Sequence, residues 1–548
     1  MKWWSPPKQR QRWGEAHILP SDNWGQIFFD LFYVGGAYNL GNSIKTSEMG
    51  WRSILYFCAA GFPSMIMWYD KLYFDARFTT RPGQDIYHRF LEILQLCCVA
   101  TALSRIRSVY VLSHPCSHID MLQFSMSLFF HSMVTIGRYV EVIKFGIGDP
   151  GARVVARRDI AWRIVPTLLL LTAAVESGIS YFTRNKNGGE ENCQAYEIPI
   201  WFCLASWMSW VGIGYCDQVI FAPKHLCTET MVPMNVQFCM HRYGEWFMLM
   251  FGESIMSLLI VEGNNESLQH SLKFYPGVLS VIFMAHLHFQ SEPRHNQDHA
   301  LIRSRHSNYL YNVLVPIYSM ALIAMGVCYK MFLYDYKNES GDDSYHRVLE
   351  DGDYVTNYTH SGDYAEKKQQ FAANLFSGSI TIVLICTDLM VLLHQGSNTI
   401  LSQIRAIPKC RFVLLAVSKY SLLCFLAVMS SIQNDPHFMT MFGLGAILFQ
   451  KVLRRSFKTW QLRIIHADDS STDSDETFNT TFTGFSIMTD DYNYQYDIES
   501  YSDAKMAFAK FEQQLMDEAK QQLSQHQQPH SSNNKLPSKE ITHTHYSC

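Results

Sequence analysis

The sequence predicts an all-α fold: a polytopic transmembrane helical bundle of about 12 spans with the N- and C-termini both cytosolic. Three observations carry that reading. The 548-residue chain is 48% hydrophobic and only 17% charged. Its apolar residues gather in windows of about 20, the length that crosses about 30 Å of hydrocarbon. Its basic residues concentrate on alternate loops, the signature of a fixed orientation. The 35 Phe, 29 Tyr and 12 Trp suit the membrane interface. The mean hydropathy of -0.06 hides this, because it averages an apolar body of roughly 450 residues with a polar tail of roughly 80.

Residues 1–20 form a polar cytosolic arm with Lys2, Lys8, Arg10 and Arg12. No cleavable signal is visible there, so the first span is expected to act as its own insertion signal. The transmembrane domain covers 21–455. Its windows centre near Tyr33, Ala60, Cys98, Phe129, Leu170, Trp207, Met250, Leu279, Met320, Val383, Cys424 and Ala446, the last interrupted by Gly443 and Gly445. With the N-terminus inside, the inner loops hold Lys71, Arg77, Arg81 and Arg89; Arg153, Arg157, Arg158 and Arg163; Arg294, Arg303 and Arg305; and Arg405, Lys409 and Arg411. Roughly 22 basic residues then lie inside against roughly 7 outside, which selects this orientation over its inverse.

The Asn-x-Ser/Thr sequons at Asn265, Asn338 and Asn357 all fall in loops assigned outside, where a eukaryotic secretory system would glycosylate them. Asn479, in the tail, is expected to stay unmodified. The outer loop at 335–368 is acidic and rich in Gly, Asp and Tyr, too polar to bury itself. The 14 Cys are mostly small buried hydrophobes, with Cys116 and Cys193 the pair placed in outer loops. Residues 456–548 read as a cytosolic, largely disordered tail. It opens with acid-flanked Ser470, Ser471, Thr472 and Ser474, either phosphorylation candidates or a solvated spacer. A short amphipathic helix is expected at 502–525, on Met506, Phe508, Phe511, Leu515 and Leu523.

The first span reads Trp24-Gly25-Gln26-Ile27-Phe28-Phe29-Asp30-Leu31-Phe32-Tyr33-Val34. This resembles the opening signature of the bacterial low temperature requirement A (LtrA) family, a Trp, then Glu-Leu-Phe-Phe-Asp-Leu, then Phe-Val. Gln26 stands where the family usually has an acid. In the seventh span Arg242-Tyr243-Gly244 is followed by Gly252-Glu253-Ser254, similar to the family's Glu-Arg-Phe-Gly and Gly-Glu-Ser pair, with His241 in place of the Glu. A third match runs from Arg294-His295 to His299-Ala300-Leu301. The resemblance covers roughly Trp24 to Lys451 and implies a multi-helix membrane protein linked to growth in the cold, with no settled substrate.

Ionisable side chains inside spans cost about 2.5 to 3.5 kcal/mol each on insertion scales, which makes them functional candidates. Asp30, Glu253, Glu245, His241 and Arg242 are the candidates for a proton or cation site. Glu92 and Glu245 also have a structural reading: each follows a His-Arg-aromatic step, His88-Arg89-Phe90 or His241-Arg242-Tyr243, and can pair with the Arg at i, i+3. The recurrence of that step joins spans three and seven as a trace of a parallel repeat. Glu253 lies about 18 Å along the helix from His241, near mid-bilayer. It is flanked by Gly252 and Ser254, where a neighbouring backbone could come close. His131 and Glu176 are either its partners or satisfied structural groups. Asp388 in the tenth span and Lys419 in the eleventh fall at nearly one depth and are expected to form an intramembrane ion pair.

No metal site and no cofactor are expected. His288, Glu292, His295 and His299 would share a helical face, but Pro293 interrupts it. Motifs for covalent chemistry are missing: no His-Glu-x-x-His, Gly-x-Ser-x-Gly or phosphate-cradling glycine loop. The chain therefore reads as more transporter-like than enzymatic, a secondary transporter or ion-conducting protein. The alternatives are an intramembrane enzyme or lipid-handling protein, and a receptor or scaffold. The expected partners are the lipid bilayer, a small solute or ion, and cytosolic proteins on the tail, with no nucleic acid. The location is a plasma membrane or endomembrane.

Overall fold

The computed structural model describes residues 3–10, 24–46, 50–80, 85–109, 118–145, 150–186, 197–217, 232, 234–260, 268–293, 299–333, 361–406 and 409–469. Within these the protein is all-α apart from one two-stranded ribbon. The helices are α1 (Trp24–Thr46), α2 (Trp51–Arg77), α3 (Ile86–Val109), α4 (His118–Phe145), α5 (Pro150–Lys186), α6 (Glu197–Tyr215), α7 (Val236–Leu259), α8 (Leu268–Phe289), the single turn α9 (Ala300–Arg303), α10 (Arg305–Leu333), α11 (Ser361–Ala406), α12 (Lys409–Ile432) and α13 (Pro436–Asp469). Every hydropathic window centre falls inside one of the long helices. Seven of them, α3, α4, α5, α6, α8, α10 and α11, are long and apolar enough to cross a membrane by length and composition. The others are of comparable length, and α2 and α7 carry paired charges.

α10 is the axis of the bundle. It packs against α7, α11, α1, α8 and α2, and 78% of its spanning window is buried. At one point it must touch backbone: a Cβ at Gly326 would lie 2.9 Å from the Ser254 Cα of α7. The sequence pointed to Gly252 and Ser254 for a close approach; it occurs at Ser254, and nothing lies within 4 Å of a Cβ at Gly252. The glycine that matters is on the facing helix.

The contacts bring the start of α1, α3, α5 and α7 together with the end of α2 and α4. At this end, called the basic end below, Asn235 caps α7 by accepting from the Phe238 N–H at 3.0 Å, and its own N–H donates to the Ala76 carbonyl of α2 at 3.1 Å. A side chain that takes up an orphan helix N–H contributes about 1 kcal/mol; here the capping residue also bolts two helices together. The N-terminal arm docks at the same place. β1 (Lys8–Gln9) pairs antiparallel with β2 (Phe78–Thr79), Ser5 bonds Asp85 and the Arg10 guanidinium sits 4.5 Å above the Phe238 ring.

Two sequence expectations change. Of the cations assigned to inner loops, Lys71 and Arg77 are in α2, Arg89 in α3, Arg153, Arg157, Arg158 and Arg163 in α5, Arg303 in α9, Arg305 in α10, Arg405 in α11, and Lys409 and Arg411 in α12, because the helices run on beyond their apolar windows. α11 begins at Ser361, within the segment read as outer loop 335–368. Asn265, Asn338, Asn357, Cys116, Cys193, His295, Ser470, Ser471, Thr472, Ser474 and the helix expected at 502–525 lie outside the described residues.

Candidate functional site

The site is built where α1, α2 and α7 cross at the basic end. Asp30, 3% exposed, accepts from the Arg242 guanidinium at 2.6 Å and from the Trp68 indole at 2.9 Å. Arg242 also donates to Glu245 at 2.7 Å, the i, i+3 pair, and His241 Nε2 lies 3.2 Å from the other Glu245 oxygen. The surroundings are aromatic. Trp68 packs on Trp246 with ring centroids 4.6 Å apart, Tyr33 meets Trp246 edge-on at 5.2 Å, and the polar tips are satisfied: Tyr33 donates to the Ser64 carbonyl and Trp246 to Ser319. The rings exclude water and so strengthen the charge pair inside them.

A second set of charges, not singled out from the sequence, continues down α2. Asp70 takes the Arg163 guanidinium of α5 at 2.8 Å, each side chain 2% exposed. Lys71 reaches Asp75 at 3.0 Å and Glu92 of α3 at 3.6 Å. Arg138 of α4 lies 3.7 Å from Asp75, and Arg77 lies 2.6 Å from Asp159. Glu92 is therefore held by a lysine from another helix, where the sequence pointed to Arg89. The readable signal was Lys71 and Asp75 at i, i+4 within an aromatic run, a spacing that places both on one helical face. His131 is fully buried in this region, 6.3 Å from the Phe29 ring, and neither of its nitrogens has a hydrogen-bond partner among the described residues. It does not bond Glu253. Glu176 is half-buried on α5.

Glu253 lies three turns beyond Arg242 on α7 and is 4% exposed. Its hydrogen bond comes from Ser257 at 3.3 Å, and among the described residues no cation lies within 4.0 Å of it. Lys330 of α10 is the cation whose field reaches it. That ammonium, 7% exposed, donates to Asn42 at 3.2 Å and sits 4.9 Å over the Tyr38 ring. Beside Glu253, the Ser254 hydroxyl donates to the Leu322 carbonyl of α10 at 3.2 Å.

Asp388 and Lys419 meet: Nζ lies 2.7 Å from the carboxylate. The sequence missed the rest of that cluster. α13 brings Arg454 to 3.1 Å and the Gln450 amide to 2.9 Å and 3.0 Å of the two Asp388 oxygens.

The model of one family, described as bacterial low temperature requirement A protein, matches residues 24–447. No curated protein and no solved structure matches.

Proposed function

Because the chain belongs to the low temperature requirement A family, an integral membrane family, we propose that it is a secondary transporter or ion-conducting protein, with α7 carrying the proton- or cation-binding path. In this reading twelve helices cross the membrane, α9 being the exception, both termini are cytosolic, and the basic end faces the cytosol. Glu253 is the central acid of the path. Asp30, Arg242, Glu245 and His241 form its cytosolic mouth.

The observation that carries the reading is the contrast along α7. At the basic end the acid Asp30 is paired directly with an arginine at 2.6 Å. Toward the other end of α7, six residues before Leu259, Glu253 is buried, and among the described residues its hydrogen bond comes from the neutral Ser257 hydroxyl. A buried carboxylate without a cation is costly, and a protein that only needed a stable helix would place an apolar residue there. An acid that must take up and release a proton or cation cannot be permanently paired. The α7–α10 contact at Gly326 and Ser254 holds the site against a helix that also carries Lys330, four residues on from Gly326.

Purified protein in liposomes tests this. Proton or alkali-cation flux that Glu253→Gln removes is the expected result. Altered lipid chemistry without flux would move the assignment to an intramembrane enzyme, and neither activity across a screen of protons, alkali cations and small solutes would favour a receptor or scaffold.

A further inference from the structure

Where α8 ends, the turn at 290–293 carries Glu292, its side chain 20% exposed, into a largely buried pocket beside α9, α10 and α11. Its carboxylate accepts from the Tyr311 hydroxyl of α10 at 3.3 Å. It lies 3.8 Å from His288 Nε2 and 3.9 Å from His299 Nε2. With His394 of α11 added, one ligand-type atom each from Glu292, His299 and His394 lie within 4.8 Å of one another. Two buried imidazoles and a carboxylate are a donor set for a divalent transition metal, so the question is which way the ring nitrogens face.

They face the wrong way for a metal. The Leu301 N–H donates to His299 Nδ1 at 3.2 Å, and the Ala300 N–H donates to His394 Nδ1 at 3.1 Å. A neutral imidazole that accepts on Nδ1 must carry its proton on Nε2. In His299 that N–H is the atom directed at Glu292. A metal-binding histidine needs the reverse, a bare nitrogen toward the ion and an N–H directed at a carbonyl or carboxylate behind it. The backbone of α9 therefore sets both rings as donors.

We propose that Glu292 is a proton-binding site, taking up and releasing one proton inside this pocket. Each protonation state has its partners. The ionised carboxylate is held by the Tyr311 hydroxyl and the His299 Nε2–H; the protonated acid donates to His288, whose two nitrogens are buried without a hydrogen-bond partner among the described residues and whose tautomer nothing else fixes. Closing 3.8 or 3.9 Å to hydrogen-bond length takes a movement of about 1 Å. The cations of the elements around the pocket are held by other groups among the described residues: on α9, Arg303 donates to the His394 carbonyl at 2.7 Å. α7 presents the Phe247 ring, 4.1 Å from the His288 ring; α10 adds the Tyr318 hydroxyl, and α11 adds His394. α13 brings Arg454, which is held by Asp388 at 3.1 Å and by the Leu287 carbonyl. Burial accordingly pushes Glu292 up to about 7, against the Tyr311 hydrogen bond, and burial holds His299 down at about 3 and hence neutral. The carboxyl is ionised above that midpoint and neutral below it. The proton site stands whether or not the protein transports; only its cytosolic side rests on the topology proposed above.

Infrared difference spectra of the full-length protein, stepped between about pH 5.5 and about pH 8.5, test it. A protonated-carboxyl band that titrates near neutrality and disappears in Glu292→Gln is the expected result. Tyr311→Phe keeps the carboxyl but removes a donor to its charged form, so it should raise the midpoint by about 0.5 to 1 pH unit; this variant carries the test if Glu292→Gln does not fold. A spectrum with no Glu292-dependent band, or an unmoved midpoint in Tyr311→Phe, overturns the proposal. So does stoichiometric Co²⁺ binding with tetrahedral absorption that Glu292→Gln abolishes, because the site would then be a metal centre.

Discussion

Replacing Lys419 and replacing Asp388 should have unequal costs, because the Asp388 carboxylate has more than one partner. In Lys419→Ala the carboxylate keeps Arg454 at 3.1 Å and the Gln450 amide at 2.9 and 3.0 Å. Because the carboxylate is not left without a cation, the loss should be about that of one hydrogen bond, about 1 kcal/mol. Asp388→Ala removes the only described anion of the cluster and leaves two cations facing each other. Stranding buried charge costs about 3 to 5 kcal/mol; the ability of Lys419 to turn its ammonium outward should hold the loss near the lower figure, about 3 kcal/mol. A two-helix pair would be rescued by exchanging its charges. Here the exchange Asp388→Lys with Lys419→Asp places an ammonium beside Arg454, so it should recover little. Thermal unfolding of detergent-purified variants, set out as a double-mutant cycle, measures these terms. Equal single losses or full recovery by the exchange would show that Arg454 is not part of the cluster. Coupling below a few tenths of a kcal/mol would show that Asp388 and Lys419 do not touch.

Other perturbations separate architecture from chemistry. Glu253→Gln keeps volume and shape and should abolish flux with folded yield nearly unchanged, read by liposome transport against size-exclusion recovery; wild-type flux would remove Glu253 from the path. Asp30→Asn should be the next most damaging to flux, but it should also lower yield, since Arg242 then keeps only Glu245 at 2.7 Å. Gly326→Ala places a methyl 2.9 Å from the Ser254 Cα, which only a helix shift can relieve; overpacking of this kind costs about 1 to 3 kcal/mol, and an unchanged melting temperature would refute the close approach. A cysteine introduced near Ser531 should resist an impermeant reagent on intact cells, while Asn338 and Asn357 should accept glycans in a eukaryotic secretory system; labelling of the tail would refute the twelve-crossing arrangement.

The helices were legible because a bilayer imposes one period and one length, and all twelve windows lie on helices. The charges were less legible for a physical reason. Hydropathy scores each side chain alone, so Asp70, Lys71 and Asp75 look like the end of a span. In the structure each is cancelled by a partner: Asp70 by Arg163, and Lys71 by Asp75 and Glu92. Partners close in sequence, such as Arg242 and Glu245, could be read from helical spacing. Asp388 and Lys419 could be matched by depth on consecutive antiparallel helices. Arg454 could not, since nothing local says that α13 returns to that carboxylate. The cluster at Glu292 was legible in part: helical spacing grouped His288, Glu292 and His299, but His394 joins it from another helix, oriented by a backbone N–H 94 residues away. Pro293 does end α8, but the turn it makes delivers Glu292 into the pocket.

The described acids of the bundle interior then sort by whether a full cation holds them. Asp30, Asp70, Asp75 and Asp388 each lie within 4.0 Å of a lysine or arginine from another residue of the cluster. Such pairs are structural, because removing either member would strand the other's charge. Their work is to lock α1, α2, α4, α5 and α7 at the basic end and α11, α12 and α13 beyond it. Glu253 and Glu292 accept from hydroxyls, with no lysine or arginine within 4.0 Å among the described residues, so a proton can arrive without breaking a direct ion pair. The division has a measurable consequence: substitutions in the first group should act mainly through folded yield, and those in the second mainly through how the folded protein responds to protons.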